Sequence, residues 1–384
     1  MSILATESSG FVFHAWLASA ALPPGIISRL LEEYGTPENV RKAIQSGHNR
    51  TDSIPAAGLK TLKQNDADEW LEKEEQLLLQ NGIKAFTIKD HEYPATLLQM
   101  EEPPAILFYQ GNPQCMNQKN LAMVGSRAAS YDGQKAAGKI ARNLSRKGIG
   151  IISGMAGGID TASHAGCIEG GSRTIAVTGC GLDIVYPSSN IRLRDRILEN
   201  DGLLLSEYAP GEKPVGWHFP FRNRIITGLA RALIVIEAKI RSGTMTSVQH
   251  ALSQGKDVFV YPGDPTSLYF EGNHRLLREG AIYFTTAEDI LEDLGWLDNP
   301  GIIRQNSDCS DRTQASAPEE KAVLSALEPG KLGFEQIADR SGLSPAALMS
   351  TLTMLQIKGM IEALPGKQYQ LKDKDNQHDS DPEE

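Results

Sequence analysis

The chain has 384 residues, 40% of them hydrophobic and 22% charged, with a formal net charge of −10. Such a chain holds two or three domains with a large buried core, and its composition excludes a fibrous or wholly disordered protein. The acidic total argues against a nucleic-acid partner, but the charge is segregated. Residues 119–296 carry 20 Lys and Arg against 18 Asp and Glu, whereas 1–80 (7 against 11) and 372–384 (2 against 6) are acidic. A polyanion would meet the middle of the chain. The four cysteines, Cys115, Cys167, Cys180 and Cys309, have no CxxC spacing. They read as reduced thiols of a cytoplasmic protein, with no metal site. The apolar run 10–22 contains His14 and has no preceding Lys or Arg, so it is not a signal peptide, and no run approaches the ~18 apolar residues of a membrane span.

Residues 1–80 read as short helices broken by Pro23-Pro24-Gly25 and Gly35, with Leu59–Leu79 a long charged helix. This pattern resembles a SAM-like or helix-hairpin-helix module, and its acidic balance favours packing or protein contact. Residues 81–118 hold two strand-like runs, Ile83–Ile88 and Ala105–Gln110. They lead into the core of an 81–297 domain, placed at 119–296.

From Leu121 the chain alternates. Six apolar runs, at 121–126, 150–154, 174–179, 202–207, 232–238 and 257–263, are separated by helical stretches. The runs are continuously apolar, as strands covered on both faces must be. The pattern predicts α/β architecture: a doubly wound, mostly parallel sheet. Residues 298–318 are polar and aperiodic and read as a linker. Residues 319–371 read as a winged helix: helices at 319–327, 334–341 and 345–359, then a hairpin turning at Pro365-Gly366. The third helix has one basic residue, Lys358, which favours protein contact over reading DNA bases. Residues 372–384 read as a disordered acidic tail.

Ligands of a doubly wound sheet bind beyond the carboxyl ends of its strands. Glycine-rich loops follow several of these strands, and Arg127, Lys213, Arg222, Arg224, Lys239, Arg241 and Lys256 are expected near the same edge. Converging backbone N–H groups and helix N-termini would seat phosphates there. Neither GxGxxG after the first strand nor GxxxxGK[ST] is present, which disfavours a bound dinucleotide cofactor or hydrolysed ATP. No cofactor is expected. Catalytic groups are sparse: His164 more readily packs than reacts, Glu237 is the one carboxylate to consider as a base, and Asp160 and Asp183 read as loop-orienting.

The stretch 219–247 carries the most information. Pro220 is a natural helix start, and Arg222, Ile225, Ile226 and Leu229 share one face. Arginines in a first turn oppose the helix dipole, which suggests an anion; the alternative is that Arg222 pairs with a buried carboxylate. Phe219, then Phe221 and Trp217, could stack on nucleobases beside these cations or simply seal the sheet edge.

Six segments, VGSRAAS (124–130), IISGMAGGIDTASHAG (151–166), AVTGCGLDIVYPSSN (176–190), LLSEYAPG (204–211), FPFRNRIITGLARALIVIEAKIRSGTMTSVQHAL (219–252) and GKDVFVYPG (255–263), together resemble the DNA-processing protein A (Smf) family. The resemblance runs in order over roughly 120–285 and extends more weakly to both flanks. It implies a Rossmann-like domain that dimerises, binds single-stranded DNA and loads the RecA recombinase in natural transformation, without catalysis. It places Arg127 in a phosphate pocket with Gly125, Ser126, Ser153 and Gly154. It puts Phe219 on a base, and Arg222, Asn223, Lys239 and Lys256 along the strand. Lys213 and Arg224 complete the expected DNA-binding set. A second resemblance, to nucleotide phosphoribohydrolases of the cytokinin-activating (LOG) kind, is weaker. Their PGGxGT signature reads Arg241-Ser242-Gly243-Thr244 here, and Ser247 or Val248 stands where the catalytic Glu is expected.

Overall fold

The computed structural model describes residues 10–47, 54–297, 318–327, 330–357, 360–364 and 368–371. The acidic tail, the Pro365-Gly366 turn and, but for its last residue, the 298–318 linker lie outside them. Two compact units emerge, Met1–Asn299 and Pro300–Glu384.

The first unit opens with five helices, α1 (Val12–Ala18), α2 (Pro24–Tyr34), α3 (Pro37–Gln45), α4 (Ala56–Gln64) and α5 (Asp68–Asn81). Two strands follow, β1 (Lys84–Thr87) and β2 (Ile106–Gly111). The alternating part is β3 (Asn120–Val124), α6 (Tyr131–Arg146), β4 (Gly150–Ser153), α7 (Ile159–Gly170), β5 (Thr174–Val177), α8 (Ile191–Glu199) and β6 (Leu203–Ser206). It continues through α9 (His218–Leu229), β7 (Ala232–Val235), α10 (Gly243–Ser253), β8 (Asp257–Val260), α11 (Glu271–Arg278), β9 (Ile282–Tyr283) and α12 (Ala287–Asp293). The six predicted core runs all form strands.

These strands make one nine-stranded sheet of order β1-β2-β6-β5-β4-β3-β7-β8-β9. Every pairing from β6 to β9 is parallel; β1 and β2 extend the far edge antiparallel, with Phe108 opposite Ser206. The chain winds outward from β3 through β4, β5 and β6. It then crosses back to set β7 on the other side of β3. The winding reverses between β3 and β7, the place where a Rossmann-like sheet opens its binding crevice. Strands β3 to β7 are wholly buried, which explains their unbroken apolar sequences.

Helices cover both faces. On one, Ile225 and Ile226 of α9 meet Val124, Val177 and Val235. On the other, α6, α7 and α12 pack on Leu121, Ile151 and Phe259. The rest of that face is covered by the amino-terminal helices: Trp16, Leu17 and Leu31 share one core with Phe108, Ala176 and Leu204. The boundary expected near residue 80 therefore runs through a shared core. The helical layer belongs to the same compact unit as the sheet, because apolar residues on both sides of that boundary need each other for burial.

The second unit contains α13 (Pro318–Leu327), β10 (Leu332–Gly333), α14 (Phe334–Ser341), α15 (Pro345–Ile357), β11 (Ile361–Leu364) and β12 (Gln368–Leu371). Its sheet order is β10-β12-β11, and Val323, Ile337, Leu348, Leu352 and Ile361 form its core. Three helices and a small antiparallel sheet make the winged helix expected from the sequence. No described helix is long and apolar enough to cross a membrane.

Candidate nucleic-acid interface

A cavity of about 470 Å³ opens at the carboxyl edge of the sheet, where the winding reverses. Gly125, Ser126 and Arg127 contribute from the β3 loop, and Phe219, Arg222 and Asn223 from α9. Lys239, Ser242, Gly243, Thr244 and Ser247 come from the exit of β7 and the first turn of α10.

Hydrogen bonds between neighbouring loops fix this edge. Ser126 N donates to Glu237 O at 2.8 Å, and Ile159 N donates to Ser126 O at 3.2 Å. Gly158 has a φ of 75° and lies so near the Ser126 carbonyl that a Cβ would collide with it, so glycine is required. Asp160, buried at the start of α7, accepts from Gly154 N at 3.2 Å and Ala156 N at 3.3 Å. Asn190 donates to Met155 O at 2.8 Å, holding Met155 at a φ of 61°. Asp183 accepts from Gly211 N at 2.8 Å. The two aspartates thus orient loops.

The cations divide into two groups. Arg127 and Lys239 are exposed, and neither forms an ion pair among the described residues. Their partners are rings. The Arg127 guanidinium lies 4.7 Å from the Phe219 centroid, and the Lys239 ammonium 5.1 Å from that of Tyr269. Arg222 is different. It is 2% exposed, and its Nη1 donates to the Gly154 carbonyl at 2.9 Å and to the Val177 carbonyl. A Cβ on Gly154 would lie 2.7 Å from both Arg222 Nη2 and Asp160 Oδ2. Arg222 and Asp160 therefore face each other across that glycine without a direct ion pair. Burial lowers Arg222 to about 10, with Asp160 opposing the shift, and the side chain is a cation at neutral pH. Burial raises the Asp160 carboxyl, against the pull of Arg222. Arg222 thus brings positive charge to the cavity floor, with the Asp160 carboxyl, which also lines the cavity, set against it.

Phe219 is half-buried. Its ring lies 5.3 Å from that of Tyr186, and a Cβ on Gly179 would approach its Cδ1 to 2.9 Å. Gly179 therefore forms part of the ring's seat, a role that its sequence context gives no hint of.

Three expectations need correction. Helix α9 begins at His218, so Arg222 and Arg224 stand beyond its first turn. Arg224 does not line the cavity: it is 5% exposed, its Nη2 donates to both oxygens of Glu207 at 2.7 and 2.8 Å, and it lies over Phe221 at 4.1 Å. Lys256 precedes β8 and so sits at the amino edge of the sheet, opposite the cavity, where burial and then Arg231 disfavour its charge. A residue before a parallel strand and a residue after one lie at opposite edges, which the count of basic residues overlooked. Lys213 is exposed but outside the cavity wall. Ser153 and Gly154 lie beneath it, with Ser153 Oγ donating to Met123 O at 2.7 Å.

The groups considered for catalysis serve the scaffold. Glu237 is fully buried and caps α6, accepting from Ser130 N at 3.0 Å and from Ser130 Oγ at 2.5 Å. His164 is fully buried against Thr174 Oγ1 at 2.7 Å, and burial, helped by Arg222, lowers it to about 3. Ser247, one of the two positions at which the phosphoribohydrolase resemblance expects a Glu, lines the cavity. Cys115, Cys167 and Cys180 are buried free thiols, and no group of His, Cys, Asp and Glu among the described residues could hold a metal ion.

Comparison with known proteins agrees with this architecture. The DprA winged helix domain model matches residues 310–367. DNA processing protein DprA of Streptococcus pneumoniae is 46% identical over 209 residues, covering 54% of this chain and 73% of that protein. Protein Smf of Escherichia coli is 35% identical over 285 residues, covering 73% and 75%. The X-ray structure of DNA processing protein A from Streptococcus pneumoniae superposes with a TM-score of 0.63 at 38% identity, over 74% of this chain and 98% of that one. A structure of DNA processing protein A from Helicobacter pylori, described by its single-stranded DNA binding mode, gives 0.50 at 27% identity, over 55% and 95%. The model of the DNA recombination-mediator protein A family matches residues 84–295, more than half of the chain, and the chain belongs to that family.

Proposed function

We propose that this chain binds single-stranded DNA in the carboxyl-edge cavity and acts as a recombination mediator rather than as a catalyst. One observation carries the reading: a crevice at the winding reversal holds two exposed cations with no carboxylate partner among the described residues, each set against an aromatic ring. A phosphate enters between Arg127 and Lys239, toward the N-terminal turn of α10, whose first turn has no acidic residue to oppose it. Gly125 and Ser126 admit it closely, Asn223 offers a neutral hydrogen-bonding group, and Arg222 supplies charge from below. A base lies against Phe219. Backbone charge and base stacking together suit a single strand better than a duplex, whose bases are already stacked. The single-stranded DNA binding mode of the Helicobacter pylori relative supports the same ligand.

Family membership supports three further steps. The chain works as a homodimer, it hands its strand to a RecA-type recombinase during natural transformation, and it does so in the cytoplasm. The helices of 1–80 are a SAM-like layer and residues 319–371 a protein-contact module. Mobility-shift titrations of one oligonucleotide, single-stranded and as a duplex, over a range of salt test the central claim. The single strand is expected to bind more tightly, with log K falling by about 0.7 per phosphate neutralised for each log unit of salt. Equal affinity for both forms refutes the reading. Sedimentation tests the dimer, and RecA-dependent strand exchange tests the loading step.

A further inference from the structure

Tyr269 stands outside every segment that the DNA-binding reading draws on. It lies on the 3-10 turn Leu268–Phe270, 41% exposed beside Leu268, which is 69% exposed. Its ring is 5.1 Å from the Lys239 ammonium, and Lys239 lines the cavity. No described hydrogen bond involves the Tyr269 hydroxyl, so a buried polar partner does not account for the ring's position.

The backbone segments that carry the pair are bonded to each other. Asn273, fully buried two residues into α11, accepts from Ala238 N at 2.7 Å and donates to Ile236 O at 2.9 Å and Tyr261 O at 2.7 Å. Gly272 N donates to Ala238 O at 2.9 Å. The residue before Lys239 is thereby bonded to the segment just after Tyr269. The two backbone segments are thereby fixed relative to each other, which lowers the cost of ordering cation and ring around a ligand. Arg127 and Phe219 repeat the arrangement from the other wall, at 4.7 Å.

We propose that Tyr269 is a second nucleobase platform. The strand crosses the cavity from the Phe219–Arg127 pair to the Tyr269–Lys239 pair, with a phosphate between them. This rests on the proposed DNA-binding function and adds to it a strand path and a second stacking residue.

The test uses the full chain, with anisotropy titrations of a labelled oligothymidylate of about 16 nucleotides. Tyr269→Ala is expected to weaken binding roughly tenfold without changing the salt slope, as loss of one stacked base would. Tyr269→Phe restores binding, whereas Tyr269→Leu, apolar but without a ring, does not. Photocrosslinking to a strand carrying 5-iodouracil should label both Phe219 and Tyr269. If Arg127→Ala and Phe219→Ala weaken binding while Tyr269→Ala binds like the parent, the second platform is wrong and the DNA site stands. If all three bind like the parent, the DNA site itself is wrong. Thermal melts of each variant confirm folding, which an exposed turn residue should leave unchanged.

Discussion

Arg224 offers the sharpest separation of structural charge from ligand-binding charge. It lies in a segment whose basic residues invite assignment to DNA, yet its side chain is 6% exposed against a Glu207 side chain at 12%. Both carboxylate oxygens are bonded by Nη2, while Nε and Nη1 are buried without hydrogen-bond partners, beside the Phe221 ring. Arg224→Met removes the cation and keeps much of the volume. It leaves Glu207 buried without its partner, a loss of about 3–5 kcal/mol for a buried pair, with the lower end favoured because burial already raises the Glu207 carboxyl and eases its protonation. The lost cation–π contact adds about 0.5–2 kcal/mol. At roughly 2 °C per kcal/mol for a unit of this size, a melting point lower by ~7–14 °C is expected by calorimetry. The double variant Arg224→Met, Glu207→Gln should recover most of the loss. DNA affinity of the folded single variant should match the parent. An unshifted melt with weakened DNA binding would refute the reasoning and return Arg224 to the ligand.

Further expectations follow from the same geometry. Arg127→Ala and Lys239→Ala should each reduce the salt slope of single-strand binding by about 0.7, while Lys256→Ala, at the opposite edge, should leave affinity and slope unchanged. Gly179→Ala should displace the Phe219 ring, weakening binding with no change in slope; a crystal structure of the variant with the ring unmoved would contradict this. Glu74, buried with Oε1 unpartnered, is raised to about 7 by burial and then by Asp183. Because the folded state holds that proton more tightly, stability falls as pH rises from about 4.5 to about 7 and levels off above it. Glu74→Gln should remove this fall, and melting points measured across that range check it.

Much of the sheet was legible because six strands are buried on both faces and cannot alternate. Their order was not, since apolar runs carry no register; the reversal between β3 and β7 depends on pairings such as Met123 with Ile234. Strand β9, two residues long, gives too short a pattern to read. For the site, glycine loops and the Phe219 motif pointed to the carboxyl edge, where the cavity opens. Periodicity put Arg222 on the buried face of α9 but could not say what it meets there, because carbonyls of residues 154 and 177 are brought to it only by the fold. Tyr269 escaped notice because it reaches Lys239 through a turn rather than a shared motif. A cleaner signal was available for Lys256: its position ahead of a strand already assigns it to the far edge.

The core shared by the amino-terminal helices and the sheet sets an order of events during synthesis. Trp16 and Leu17 leave the ribosome long before Leu204, with which they share burial. At about 5–20 residues per second the interval is roughly 10–40 s. For that time the helical layer has no sheet to cover, and its apolar face depends on its own neighbours or on a chaperone.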